Sequence, residues 1–123
     1  MNAVVSTITQ LLPAEIITTD PEQITLYSQD VFTVGPPICA VVRPRNIDEV
    51  QALVRACLER GTPIVARGGG MSYTSGYIAS APDSVLIDMA SMDAIVEVNL
   101  EDRYVTVEAG CSWQKLYEHL VPL

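Results

Sequence analysis

Apolar residues Val4, Val5, Ile8, Leu11 and Leu12 recur at helical spacing over residues 3–12, until Pro13 ends the run. Asp20, Pro21 and Glu22 supply a cap, a first-turn proline and an acid for a second, short helix that reaches Tyr27. Residues 30–37 hold Gly35-Pro36-Pro37 and read as an extended connector. Residues 1–37 are therefore expected to form a small, mostly helical lead-in. The pattern changes at Ile38, where Ile38 to Val42 form a short apolar run suited to a strand covered on both faces. Asn46, with Glu49 three residues on, gives a capping-box start to a helix carrying Ile47, Val50, Leu53, Val54, Cys57 and Leu58 on one face. Gly61 closes that helix, and Pro63 to Ala66 form the next apolar strand. Strand, helix and strand in this order make a crossover unit, expected to be right-handed with parallel strands.

The second half is richer in strands. Val85 to Met89 and Ile95 to Val98 are β-rich runs, residues 99–103 make a turn, and Tyr104 to Ala109 alternate apolar with polar. Ser112 can cap a last helix on which Trp113, Leu116, Tyr117 and Leu120 share a face, so Trp113 is expected in a core. Asp88, Asp93, Glu97 and Glu108 alternate with apolar residues and read as a solvated face. His119, the single histidine, reads as a surface or packing residue of the last helix. The apolar helix runs almost to Leu123, and further sequence is expected to follow it.

The segment Arg67-Gly68-Gly69-Gly70-Met71-Ser72-Tyr73-Thr74-Ser75-Gly76 follows the second strand of the crossover. Consecutive glycines can adopt backbone angles that turn several N–H groups into one hollow, which binds an anion through main-chain donors. Ser72, Thr74 and Ser75 add hydroxyls, and Arg67 adds fixed positive charge. The loop reads either as such a phosphate site or as a plain glycine-rich turn. It contains no GxxxxGK[ST], and Tyr73 stands where the third glycine of GxGxxG belongs. The following MSYTSGYIASAP is a poor helix, so a phosphate at a helix N-terminus is not expected. A bound pyrophosphate would lie along an extended loop.

At 123 residues the chain is one domain or part of one, and 49% apolar content marks it as globular. Fifteen acidic against seven basic residues give a net charge of −8, and the basic residues form no patch, which argues against nucleic acid and anionic membranes. No run approaches the ~18 apolar residues of a membrane span. The N-terminal residues carry no basic group and read as no secretory signal. Cys39, Cys57 and Cys111 match no metal-ligand spacing and read as reduced, mostly buried thiols, which fits a cytoplasmic setting.

The ordered blocks AVVRPRNIDEV, GTPIVARGGGMSYTSG, VLIDMASMDAIVEVN and YVTVEAGCSWQKL, with an amphipathic helix between the first two, resemble the FAD-linked oxidases of the vanillyl-alcohol oxidase and p-cresol methylhydroxylase type. The resemblance covers Ile38 to Leu120. It implies an α/β (α+β) fold, a small sheet with a strand-helix-strand unit, further strands and a C-terminal helix. Residues 38–123 would be the incomplete first part of a p-cresol methylhydroxylase-type FAD-binding domain. It further implies that Arg67, Gly68, Gly69, Gly70, Met71, Ser72, Tyr73, Ser75 and Gly76 contact the FAD diphosphate and ribose. Several family members carry a flavin-linking histidine where this chain has Met71, so a covalent tether from this loop is excluded. The second part of the flavin domain and a substrate domain, which holds the catalytic groups, would complete the enzyme. No catalytic residue and no metal ligand is expected in this chain. The implied activity is oxidation of a small hydroxylated substrate such as a 2-hydroxy acid, with the chain alone inactive; the alternative is a non-catalytic nucleotide-binding or interaction module.

Overall fold

The structure is a computed structural model and describes residues 2–123. Helix α1 (Ala3–Leu11) starts at Asn2, whose side chain accepts from the Val4 amide. A single 3-10 turn leads into the short strand β1 (Ile17–Thr18), and α2 (Pro21–Tyr27) follows with Asp20 accepting from the Gln23 amide. Strand β2 (Ala40–Val42), helix α3 (Ile47–Glu59) and strand β3 (Ile64–Arg67) form the crossover unit. Asn46 caps α3 by accepting from the Glu49 amide, and Glu49 accepts in return from the Arg45 amide. Strand β4 (Val85–Asp88), a 3-10 turn (Met89–Ser91), strands β5 (Ile95–Asn99) and β6 (Tyr104–Val107), and helix α4 (Trp113–Leu120) complete the chain.

The main sheet runs β1-β2-β4-β3. Strands β2 and β3 are each parallel to β4, which inserts between them, whereas β1 lies antiparallel on the outer edge of β2. Neither the insertion of β4 nor the edge strand from the lead-in follows from local pattern. Successive side chains point to opposite faces, so each face collects its own core. On one face Ala40, Val42, Val85 and Ile87 meet Val4, Val5 and Ile8 of α1 and Leu53, Ala56 and Cys57 of α3. On the other, Val41 and Leu86 meet Tyr27, Ile38 and Ala79. The lead-in therefore packs on both faces of the sheet and shares both cores with residues 38–123. Strands β5 and β6 form a separate antiparallel hairpin with register Val98↔Val105 and a bulge between Ile95 and Glu97.

Several expectations fail: Ile47 and Leu58 of the α3 face are exposed, and of the three cysteines only Cys57 is buried. Asp88 is 1% exposed, not solvated. Its Oδ2 accepts from the Tyr27 hydroxyl at 2.9 Å and from Arg43 Nε and Nη2 at 3.0 and 2.7 Å, while Oδ1 accepts from the Ala90 amide at 3.0 Å. Alternation along a strand assigns a side to a residue, but this side is covered by α2, and only a carboxylate with this many donors can be buried there. Trp113 is 86% exposed, and of its expected face on α4 only Leu116 is buried. Leu116 and Leu120 instead line an open, mainly apolar groove of about 380 Å³ with Trp113, Leu100, Tyr104 and Val105. The helix does have an apolar face; it is uncovered among the described residues.

Removing the Asp88 carboxylate leaves the Tyr27 hydroxyl proton and the Ala90 amide without their acceptor and takes the partner from the half-exposed Arg43. Asp88→Ala should lower stability by about 2–4 kcal/mol, read as a shift in urea midpoint at unchanged slope. Burial, with Asp83 adding repulsion, pushes the Cys39 thiol up to about 11 from its ordinary value of 9.0. A group raised on folding stabilises fully below its unfolded value, so this contribution should fade as pH climbs from 9.0 towards about 11. Iodoacetamide labelling of Cys39, followed by mass spectrometry, should speed up about tenfold per pH unit between roughly pH 8 and 10.

Candidate functional site

The glycine loop leaves the C-terminal end of β3, beside the end of β4, where ligands gather in open parallel sheets. Gly70 has φ +73°, a left-handed conformation that favours glycine. The Tyr77 hydroxyl donates to the Gly70 carbonyl at 2.9 Å, which fixes the orientation of that peptide. No helix opens after the loop. Its far half closes on itself instead, the Ser72 hydroxyl accepting from the amides of Gly76 at 2.9 Å and Thr74 at 3.3 Å.

The main-chain donors of the near half are free. Among the described residues, the amides of Gly68, Gly69, Gly70, Met71, Ser72 and Tyr73 have no intrachain acceptor. Gly68, Gly69, Gly70, Met71 and Ser72 line a cleft of about 450 Å³ with Tyr77, Cys111, Ser112 and Trp113. A row of unpaired N–H groups along an open cleft is the donor set that a pyrophosphate requires, and it needs no net positive charge. The residues present fit such a group.

Two close backbone approaches form the far wall of this cleft. A Cβ on Gly68 would lie 2.9 Å from the Ala109 carbonyl oxygen. One on Gly110 would collide with the Met89 carbonyl and come within 2.7 Å of the Met92 carbonyl oxygen, to which the Met89–Ser91 turn leads. The Gly110 amide donates to that same Met92 oxygen at 2.8 Å. These contacts bring the start of α4 against the glycine loop. Ser112 caps α4 by accepting from the Lys115 amide, and Lys115 pairs with Asp93 at 2.8 Å.

The residues expected at the site divide into three groups. Gly68 to Ser72 line the cleft. Tyr73, Ser75 and Gly76 lie in the outward half: Tyr73 packs on Phe32 with ring centroids 5.9 Å apart, and the Ser75 hydroxyl meets that of Thr33 at 3.3 Å. Arg67 lies behind the loop, its guanidinium 4.6 Å from the Tyr27 ring centre, 5.4 Å from that of Tyr77, and against the Cα side of Gly70. It does not stand at an open mouth. Sequence reasoning missed Tyr27, Tyr77, Gly110 and Phe32. Tyr77 directly follows the loop, and Gly110 closes the alternating strand, so both carried a local signal; Tyr27 and Phe32 arrive from the lead-in and carried none.

A family model described as an FAD binding domain matches residues 38–122. The mitochondrial cytochrome D-lactate dehydrogenase of Arabidopsis thaliana is 38% identical over 80 residues, covering 65% of this chain and 14% of that protein. Glycolate oxidase subunit GlcD of Bacillus subtilis is 35% identical over 71 residues, 58% of this chain and 15% of that subunit. A substrate-bound structure of p-cresol methylhydroxylase superposes with a TM-score of 0.80 at 22% identity, over 95% of this chain and 24% of that one. The chain thus spans only a small part of the proteins it resembles.

Gly110→Ala forces the Met89–Ser91 turn away from the end of β6. It should cost about 1–3 kcal/mol and detach α4 from the loop, seen as a lower urea midpoint.

Proposed function

The chain belongs to the FAD binding domain family, and we propose that it holds the diphosphate of FAD within a flavin-dependent oxidoreductase that oxidises a small hydroxylated substrate such as a 2-hydroxy acid. The observation that carries this reading is the run of amides from Gly68 to Ser72, left without intrachain acceptors along the cleft that also holds Ser112. Relatives named for D-lactate and glycolate support the substrate class. Bound FAD supplies the hydride acceptor; the protein binds and orients it.

The role of this chain's residues is binding and exclusion of water. The amides of Gly68 to Ser72 donate to phosphoryl oxygens, and Gly69 allows close approach because nothing lies within 4 Å of its Cβ direction. Met71 offers no nitrogen to a flavin ring, so no histidyl link to the cofactor forms at this position. The uncovered groove of Leu100, Tyr104, Trp113, Leu116 and Leu120 receives the remainder of the oxidase, which brings the groups that act on substrate. Alone, the chain binds FAD and turns nothing over.

Gly69 separates ligand approach from folding. Gly69→Ala has room for its methyl in the folded chain and an ordinary backbone angle, so its melting temperature should match the parent. Its FAD affinity, read by quenching of flavin fluorescence, should fall about tenfold or more, and ADP should compete where riboflavin does not. Unchanged FAD affinity in the folded variant, or competition by riboflavin alone, would overturn the diphosphate assignment. Dye reduction by this chain alone with D-lactate or glycolate would overturn the division of labour.

A further inference from the structure

Arg67 would be expected to reach for phosphate, yet its guanidinium lies against two aromatic rings and is only partly exposed. It lies over the Tyr27 ring at 4.6 Å and the Tyr77 ring at 5.4 Å, and its Nε is buried with no hydrogen-bond acceptor among the described residues. The aromatic faces satisfy it electrostatically instead. Its Cζ and Nε would stand 2.7 and 2.8 Å from a Cβ on Gly70, so the planar group forms a floor under that residue. The Gly70 peptide is held from the side as well, by the Tyr77 hydroxyl on its carbonyl. Tyr27, in turn, is anchored by its hydroxyl to Asp88, and Arg43 Nη2 donates to that hydroxyl at 2.7 Å. One chain of contacts thus leads from the buried carboxylate of β4 through α2 to the left-handed glycine of the loop.

We propose that the Tyr27–Arg67–Tyr77 stack holds Gly70, and with it the free amides of the loop, in the shape that accepts a diphosphate. Arg67 and Tyr27 are positioning residues and not ligands, and α2, outside the matched residues 38–122, is part of the cofactor site's support. This inference rests on the FAD reading for its affinity readout only. An open run of unpaired donors has no hydrogen bonds of its own to hold it, so its geometry must be imposed from behind. A flat cation between two rings does that at low entropic cost, because three rigid planes and one glycine leave few alternative packings. An ammonium group lacks the planar faces that lie against the rings.

The test compares Tyr27→Phe, Tyr27→Leu, Arg67→Lys and Arg67→Met. Two readouts are taken: FAD affinity, and the heteronuclear NOE of the loop amides from Gly68 to Tyr73 in FAD-free chain. Tyr27→Phe keeps the ring and loses the bond to Asp88, so it should melt lower yet bind FAD within about twofold of the parent, with a rigid loop. Tyr27→Leu and Arg67→Met should bind about tenfold or more weakly and show lowered NOE values across the loop. Arg67→Lys should resemble Arg67→Met. The inference is overturned if folded Tyr27→Leu keeps parental affinity and NOE values, or if Tyr27→Phe is as weak as Tyr27→Leu. Parental affinity in Arg67→Lys would also overturn it, since a charge alone would then suffice. Should Tyr27→Leu not fold, the two partly exposed Arg67 variants decide. If the parent binds no FAD, the diphosphate reading fails while the NOE comparison still settles the role of the stack.

Discussion

The structure turns on a conflict between two requirements at the end of β3. The backbone donors from Gly68 to Tyr73 must stay unpaired to be available to a ligand, yet an unpaired backbone has nothing of its own to keep it in place. A helix start resolves such a conflict by capping, and a P-loop by coiling around the phosphate into a helix. Neither is present here. The chain instead buttresses the loop from outside, with the Ala109–Gly110 backbone pressed on one flank and Arg67 with its two tyrosines beneath. Each buttress works by an approach too close for a side chain, which is why glycine stands at Gly68, Gly70 and Gly110 for three separate reasons.

The same arrangement explains how a chain of net charge −8 can hold a polyanion. Long-range repulsion between exposed charges is damped within about 8–10 Å by physiological salt, whereas oriented amides act at contact distance. The strongest cation near the loop is turned inward and engaged by aromatic faces. Acidic groups are spread over the surface, and Asp88, the one buried carboxylate among the described residues, is engaged by Tyr27 and Arg43. On the proposed reading, affinity is a matter of backbone shape, set by what holds the loop.

Much of this was readable from sequence where the signal was local. The capping pair Asn46 and Glu49, helix α3 and strands β2 and β3 appear where the pattern put them, because such elements are encoded within a few residues. Ile47 and Leu58 of the expected α3 face are nonetheless exposed, and β3 is only half-buried. The glycine loop was visible for the same reason. What was hidden is long-range. Asp88 looks like any alternating acid until α2 is laid over its side of the sheet, and β1 is too short to register as a strand before it pairs with β2. Trp113 shows the limit of periodicity in the other direction: a helical stripe says that a face is apolar, not that anything covers it.

The placement of the lead-in follows from these points. Its sequence looks like a prelude, since the pattern changes at Ile38 and the family match begins there. Its packing is different: α1 fills one core with Leu53 and Cys57, while Tyr27 of α2 reaches both the buried Asp88 and the underside of the glycine loop. In the register of the parallel strands, Arg67 and Asp88 are direct neighbours on the same side of the sheet. Tyr27 stands between the two, giving Asp88 a hydroxyl and Arg67 a ring, while the half-exposed Arg43 pairs with the carboxylate. The two neighbouring charges thus meet different partners, and the lead-in supplies a contact to each.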